Sequence, residues 1–266
     1  MITVLGASGF VGRHVTRELD RRQTAYWAPS RDERLSGREL GHVIWCAGVT
    51  AEFRTRPLDT VAAHVGDLER LLSGAAVDSV VYLSTTRFYR GDGVASESDA
   101  LRLDPADPDQ LYDASKVAGE ALVLASGVPA LVLRLANVYG VDPGSQNFLP
   151  SIIEAALRDG TATLRSSLDS SRNYVGVTDV ATATLGLMDA GARGIYNVAG
   201  ERVSHREIAE RLTELTGCSI QVDPGAPTAI APDISIARLR ATIEFEPEPL
   251  LDALPRLVEE YRRALN

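Results

Sequence analysis

With 266 residues, 45% hydrophobic and 24% charged, the chain can bury the core of one large domain, or of one domain carrying a small lobe. A net charge of −9 argues against a surface that tracks nucleic-acid phosphates, so no nucleic-acid partner is expected. No run of eighteen apolar residues occurs, and the opening MITVLGASGF is short and lacks a basic flank, so the expectation is a cytoplasmic protein without a membrane partner. Cys46 and Cys218 lie far apart, and His14, His42, His64 and His205 form no cluster; neither a disulfide nor a metal site is expected. Of the 27 basic residues one alone is lysine, Lys116.

In chain order, Ile2–Leu5 reads as a β-branched strand, followed by GASGFVG and an amphipathic helix to about Arg22. A second short strand is predicted near residues 25–28. The runs HVIWCAG (42–48) and SVVYLS (79–84) are apolar throughout, as strands buried on both faces of a parallel sheet are. Between them, Leu58, Val61, Val65, Leu68 and Leu72 fall at helical spacing and predict a helix over 57–73. A second long helix is predicted over 108–125, then a strand at 130–135. Strand and helix alternation of this kind predicts an α/β fold with a Rossmann-type, doubly wound parallel sheet. After Asn137 the rhythm breaks into short helices (148–158, 179–188), short strands (161–164, 195–198), a helix over 204–216, a proline-rich stretch over 224–232 and a last helix from Leu250. The expected division is a dinucleotide-binding domain of residues 1–145 with 173–198, and a small mixed α/β substrate lobe of 146–172 with 199–266.

Gly6, Gly9 and Gly12 stand between a strand and a helix. Glycine there permits a tight turn and lets the backbone approach a pyrophosphate, which the helix N-terminus then holds. A dinucleotide is therefore the expected cofactor. The second strand ends in Trp27-Ala28-Pro29-Ser30-Arg31, without the acid that would hold a ribose 2′-hydroxyl. Ser30 and Arg31 can donate to a 2′-phosphate, which favours NADP over NAD; the alternative is that Arg31 is a solvated loop residue. Tyr112 and Lys116 are four residues apart on a predicted helix and share a face. A phenol of pKa roughly 10 is a poor acid or base at neutral pH, and a nearby ammonium lowers that value. Arginine is no equivalent of lysine in such a role, so the lone lysine of an arginine-rich chain points to chemistry. Ser84-Thr85-Thr86 ends the strand before this helix, where an open α/β sheet binds ligands.

With these residues in place the chain resembles the short-chain dehydrogenase/reductase superfamily, and within it the extended branch, the NAD-dependent epimerase/dehydratase family acting on nucleotide sugars. GASGFVG resembles its cofactor loop, and YDASK its Tyr-x-x-x-Lys signature. YLSTTRFYR is similar to the stretch that carries a catalytic Ser or Thr, and RLANVYG and SRNYVGVTDVA to two further blocks. The resemblance implies a catalytic set of Thr85, Tyr112 and Lys116. It implies cofactor contacts from Gly6, Ser8, Gly9, Phe10, Val11, Gly12, Ser30, Arg31, Cys46, Ala47, Gly48, Tyr112, Lys116, Leu135 and Ala136. For the nucleotide-sugar substrate it implies Thr85, Thr86, Arg87, Asn137, Asn147 and Arg172, the last at the diphosphate, and it implies a homodimer built on helices 57–73 and 108–125.

Four departures qualify the likeness. The stretch between the second strand and HVIWCAG is short, so the third strand is expected to be missing or reduced. Asn173 replaces a usual Asp, and His64 takes a place where relatives often have Asn. Thr86-Arg87 stand where 4,6-dehydratases of the family carry Asp-Glu, which removes the acid and base of an elimination. The expected function is NADPH-dependent reduction of a keto group on a nucleotide-activated sugar. The alternatives are an NAD-dependent nucleotide-sugar epimerase and, from another class, a non-catalytic dinucleotide sensor.

Overall fold

The computed structural model describes residues 1–91 and 93–265. Its centre is a six-stranded parallel sheet of Ile2–Leu5 (β1), Tyr26–Trp27 (β2), Glu39–Trp45 (β3), Ala76–Thr85 (β4), Ala130–Leu135 (β5) and Gly194–Val198 (β6). The spatial order is β6-β5-β4-β3-β1-β2. β4 and β5 are interior strands whose apolar runs 80–83 and 130–133 are buried, with both faces covered.

The helix Phe10–Arg21 (α1) packs with Val177–Asp189 on one face, around Val15, Leu19, Val180 and Leu187. On the other face lie two more helical stretches. One runs Pro57–Val61, takes a π-helical turn at Ala62–Gly66 and continues as Asp67–Gly74 (together α2). The other is Leu111–Ala125 (α3). They cover Leu68, Leu71, Tyr82 and Val123. The sheet is thus doubly wound, as expected.

The shortened third-strand region is also seen. From Trp27 to Glu39 the chain makes only turns, and β2, two residues long, is the sheet's edge. Arg38 stacks over the Trp27 ring at 5.1 Å and closes that edge from below.

A second apolar cluster, of Leu149, Ile153, Leu164, Tyr174, Ile208, Leu212, Leu254 and Tyr261, builds the lobe. Its helices are Phe148–Asp159, His205–Thr216 and Leu250–Leu265. Ser204 caps the second of these and Glu207 returns the bond, a complete capping box. The strand Ser171–Gly176 joins the two regions, pairing with Asn137–Tyr139 on one side and with Arg202–Ser204 on the other.

No helix among the described residues is long and apolar enough to cross a membrane. Likewise, no three His, Cys, Asp or Glu side chains among them gather as a metal would need. Cys46 and Cys218 are free thiols.

Candidate active site

The glycine loop follows β1 directly. Gly6 has φ +80°, and a Cβ on it would lie 2.7 Å from the Ala47 amide nitrogen, so only glycine lets β1 turn against Cys46-Ala47. A Cβ on Gly12 would lie 2.1 Å from the Gly6 carbonyl oxygen. Gly9 caps α1 without a side-chain bond, and no acid occupies the first turn. The amides of Phe10, Val11 and Gly12 therefore present a bare positive helix end beside exposed Ser8. Both the cradle and the uncapped helix end fit a pyrophosphate. Gly12→Ala is expected to weaken NADP and NAD binding by about 100-fold or more (about 2.7 kcal/mol), read as loss of cofactor-induced thermal stabilisation.

Ser30 and Arg31 are exposed in the turn after β2. The nearby acid Glu33 is taken by Arg38 at 3.2 Å, which leaves Arg31, like Arg34, without an ion pair among the described residues.

Tyr112 and Lys116 lie one turn apart on α3, both buried, opposite the end of β4. Lys116 Nζ donates to the Leu83 carbonyl at 2.8 Å. Burial pulls its pKa down to about 7. Burial also pushes the Tyr112 phenol up to about 12, and the cation that opposes this rise is Arg87. The sequence spacing assigns that role to Lys116, but its Nζ is 5.9 Å from the Tyr112 ring centre and turned to a carbonyl. Desolvation outweighs charge, and the phenol is a protonated acid at neutral pH.

Thr85 is the last residue of β4 and is buried. Its Oγ1 accepts the Arg87 amide at 3.1 Å, so its own proton is left for another acceptor. Thr86, also buried, donates its amide to the Leu135 carbonyl at 2.9 Å. Leu135 and Ala136 end β5 beside it, the Ala136 amide bonding to Val198. Gly48 closes the gap toward α3: a Cβ there would lie 3.1 Å from His64 Nε2 and 3.6 Å from Lys116 Nζ. Glycine loop, Cys46–Gly48, Thr85, Tyr112, Lys116 and Leu135–Ala136 thus converge on the carboxyl ends of the strands.

His64 is more than a substitution at that place. It is fully buried in the π-helical turn of α2. Ser115 Oγ donates to the Tyr112 carbonyl at 2.8 Å, so it can accept only from His64 Nδ1, also at 2.8 Å. The proton therefore sits on Nδ1, and Nε2 is a lone-pair acceptor with no partner among the described residues. Burial first and Lys116 second hold the ring neutral, with its pKa down to about 2. Such an orphaned acceptor, beside Gly48 and Lys116, fits a hydroxyl donor such as a cofactor ribose.

The remaining substrate candidates lie toward the lobe. Asn137, exposed, donates Nδ2 to the Asn173 carbonyl at 2.9 Å and pairs in register with Tyr174, next but one to Arg172. Asn147 is exposed and stands at the N-terminus of Phe148–Asp159 without a side-chain capping bond. Phe148 stacks on His205 at 4.2 Å, and Arg172 acts on His205, whose pKa burial lowers to about 4. His205 was not among the residues singled out by the sequence; its partners Ser166 and Phe148 are 39 and 57 positions away, which no local pattern reveals. Asn147 and Arg172 therefore belong to this lobe group rather than to the cluster around Tyr112.

Fold and site together define an extended short-chain dehydrogenase/reductase, and the chain belongs to the NAD dependent epimerase/dehydratase family, whose model matches residues 32–199. Over 98% of its length it is 27% identical to dTDP-4-dehydro-6-deoxy-D-allose reductase of Streptomyces bikiniensis, covering 96% of that protein. It is 30% identical to dTDP-4-dehydrorhamnose reductase of Mycobacterium tuberculosis over 77% of this chain and 71% of the relative. Among solved structures it is similar to MoeE5 in complex with UDP-glucose and NAD, with a TM-score of 0.86, 25% identity, and 100% and 99% of the two chains covered.

Proposed function

We propose that the protein is an NADPH-dependent reductase of a keto group on a nucleotide-activated sugar. The observation that carries this reading is the end of β2, where exposed Ser30 and Arg31 stand in place of the acid that would hold an NAD ribose; Tyr112, protonated at neutral pH, is the proton source that reduction needs. When bound, the nicotinamide supplies hydride. Thr85, its oxygen already engaged by the Arg87 amide, would hydrogen-bond the substrate carbonyl through its hydroxyl and keep its own proton. Tyr112 then delivers its phenolic proton to that oxygen as negative charge develops there. Lys116, with two donors beyond its bond to Leu83, and His64 Nε2 hold the ribose hydroxyls. Residues 1–145 with 173–198 would carry the cofactor and 146–172 with 199–266 the nucleotide, with Arg172 at the diphosphate. The two curated relatives named as reductases support the reaction class, and Ser30 and Arg31 support NADP over NAD.

The test is stoichiometry. One NADPH should be consumed per keto sugar reduced, followed at 340 nm. Conversion of sugars without net consumption would favour the second reading, an epimerase that keeps its NAD, toward which the likeness to MoeE5 with bound NAD points.

A cytoplasmic homodimer completes the proposal. Leu58 and Val61 on α2 are 84% and 40% exposed and Leu124 on α3 is 45% exposed, an apolar display on the two helices in question. Leu58→Asp is expected to shift the molecule from dimer to monomer in light scattering at micromolar concentration.

A further inference from the structure

Reduction of a neutral sugar leaves a group of cations beside Tyr112 without a task. The Arg87 guanidinium carbon lies 5.7 Å from the Tyr112 ring centre and 4.9 Å from that of Phe53. Phe53 is buried and itself packs on Tyr112 at 5.6 Å. Arg54 covers the same Phe53 ring at 4.5 Å. Arg90, three residues past Arg87, reaches the same helix end.

Two acids bond to this group of arginines, and Asp107 adds negative charge near Arg54 from farther off. Asp113, fully buried, accepts Arg90 Nη2 at 2.7 Å, and Asp109 accepts Arg54 Nε at 2.5 Å. Arg87 is left over. Its Nε stands 3.4 Å from Asp113 Oδ1, an oxygen that has no hydrogen-bond partner among the described residues. Its Nη2 donates to a main-chain carbonyl, that of Asp109, at 2.9 Å, and its Nη1 makes no hydrogen bond among the described residues. Arg87 is held by a carbonyl, two rings and a long ion pair with Asp113, a carboxylate it shares with Arg90.

Arg87 thus has only a shared carboxylate, and its Nη1 is unbonded among the described residues, in a chain of net charge −9. The Arg87 side chain is only 34% exposed, and burial lowers its pKa. A half-desolvated guanidinium with only a long, shared ion pair gains from an anion brought into the site. The diphosphate has Arg172 in the lobe and the cofactor pyrophosphate has the glycine loop, so neither needs Arg87.

We propose that Arg87 binds a carboxylate carried by the sugar, next to the carbon that Thr85 and Tyr112 address, and that the substrate class is a nucleotide-activated hexuronate. This rests on the nucleotide-sugar reading above and narrows it. The planar guanidinium can offer two parallel donors to a carboxylate, which a hydroxymethyl or methyl group at the same carbon cannot use. Arg54 and Arg90 hold the two neighbouring acids, so those carboxylates do not repel the incoming one.

The experiment is calorimetric binding, with saturating NADP, of two matched pairs: UDP-glucuronic acid against UDP-glucose, and dTDP-glucuronic acid against dTDP-glucose. The wild-type protein is expected to bind the uronate of at least one pair about 10–100-fold more tightly than its hexose. Arg87→Gln should erase that preference, the uronate losing about 10–100-fold more affinity than its hexose. Arg87→Lys, which keeps the charge but lacks the fork, should retain only part of it. Should Arg87→Gln unfold, Arg87→Lys decides, and an unchanged preference there overturns the proposal. Equal affinity for both members of each pair in the wild type overturns it too, as does an equal loss of both sugars in Arg87→Gln. Failure of all four ligands to bind removes the nucleotide-sugar reading with it, whereas hexose binding without a uronate preference removes this inference alone.

Discussion

Tyr112→Phe is expected to lower turnover by about 10²–10⁴-fold, the contribution of a positioned general acid, while the protein folds and binds its cofactor as before. The phenyl ring preserves the packing on Phe53 and His64, at 5.6 and 5.3 Å, and deletes only the proton donor. Because the Tyr112 hydroxyl makes no hydrogen bond to another described side chain, no buried partner is orphaned by its removal, and thermal stability should change by less than about 1 kcal/mol. The same variant isolates a pH effect. Lys116 is charged below its pKa of about 7 and neutral above it. Affinity for the anionic cofactor should therefore weaken as pH rises through about 7, equally in wild type and Tyr112→Phe. Lys116→Met should flatten that profile. Turnover unchanged in Tyr112→Phe would remove the mechanism, and a profile unaltered by Lys116→Met would reassign the titration.

The largest loss of stability is expected from Arg134→Leu. Arg134 and Glu120 are each 4% exposed at the side chain and meet at 2.7 Å between β5 and α3. Arg134 also donates to the Tyr89 hydroxyl at 2.7 Å, which passes its own proton to Asn197 at 2.9 Å, and Ser84 Oγ donates to Glu120. Removing the guanidinium strands a buried carboxylate, at a cost of about 3–5 kcal/mol, or a fall in Tm on the order of 10 °C for a chain of this size. Adding Glu120→Gln should recover much of the loss, because the amide still accepts from Ser84 and no longer needs a counter-charge. Denaturant titration of the single and double variants measures this. An equal loss in both would mean that the packing of Arg134 on Phe88 and Tyr89, at 4.9 and 5.4 Å, matters more than its charge. Ser84 directly precedes Thr85, so the single variant should also lose activity in the fraction that stays folded.

What the sequence made legible was local. β1, its glycine loop and α1 follow from one strand, one turn and one amphipathic period, and Tyr112 and Lys116 from helical spacing. Even the missing third strand was visible, as a count of residues between Trp27 and β3. The strand boundaries shifted only by a few residues, because β3 and β4 extend into polar neighbours such as Glu39 and Asp78 that ladder bonding accommodates. Features set by distant partners were hidden. The charge opposing the rise of the Tyr112 pKa comes from a residue 25 positions earlier, Arg87, and the degree of burial that overrides it depends on Phe53 and α2. The π-helical turn answers to Tyr82, whose hydroxyl donates to the His64 carbonyl at 3.2 Å. That approach needs Gly119, where a Cβ would lie 2.2 Å from the same hydroxyl. No periodicity announces such a three-way fit. The buried Arg134–Glu120 pair looks, in sequence, like two ordinary surface charges.

The abrupt edge of the sheet at Tyr26–Trp27 has a use in biocatalysis. With no strand beyond it, the adenosine half of the proposed NADP would meet one turn, residues 28–38, and its 2′-phosphate would depend on Ser30 and Arg31 there rather than on a walled pocket. Cofactor preference would then hang on a few exposed side chains of that turn. A turn that supports no further strand can also be exchanged by cassette without repacking a core, which makes this a natural place to retune that preference.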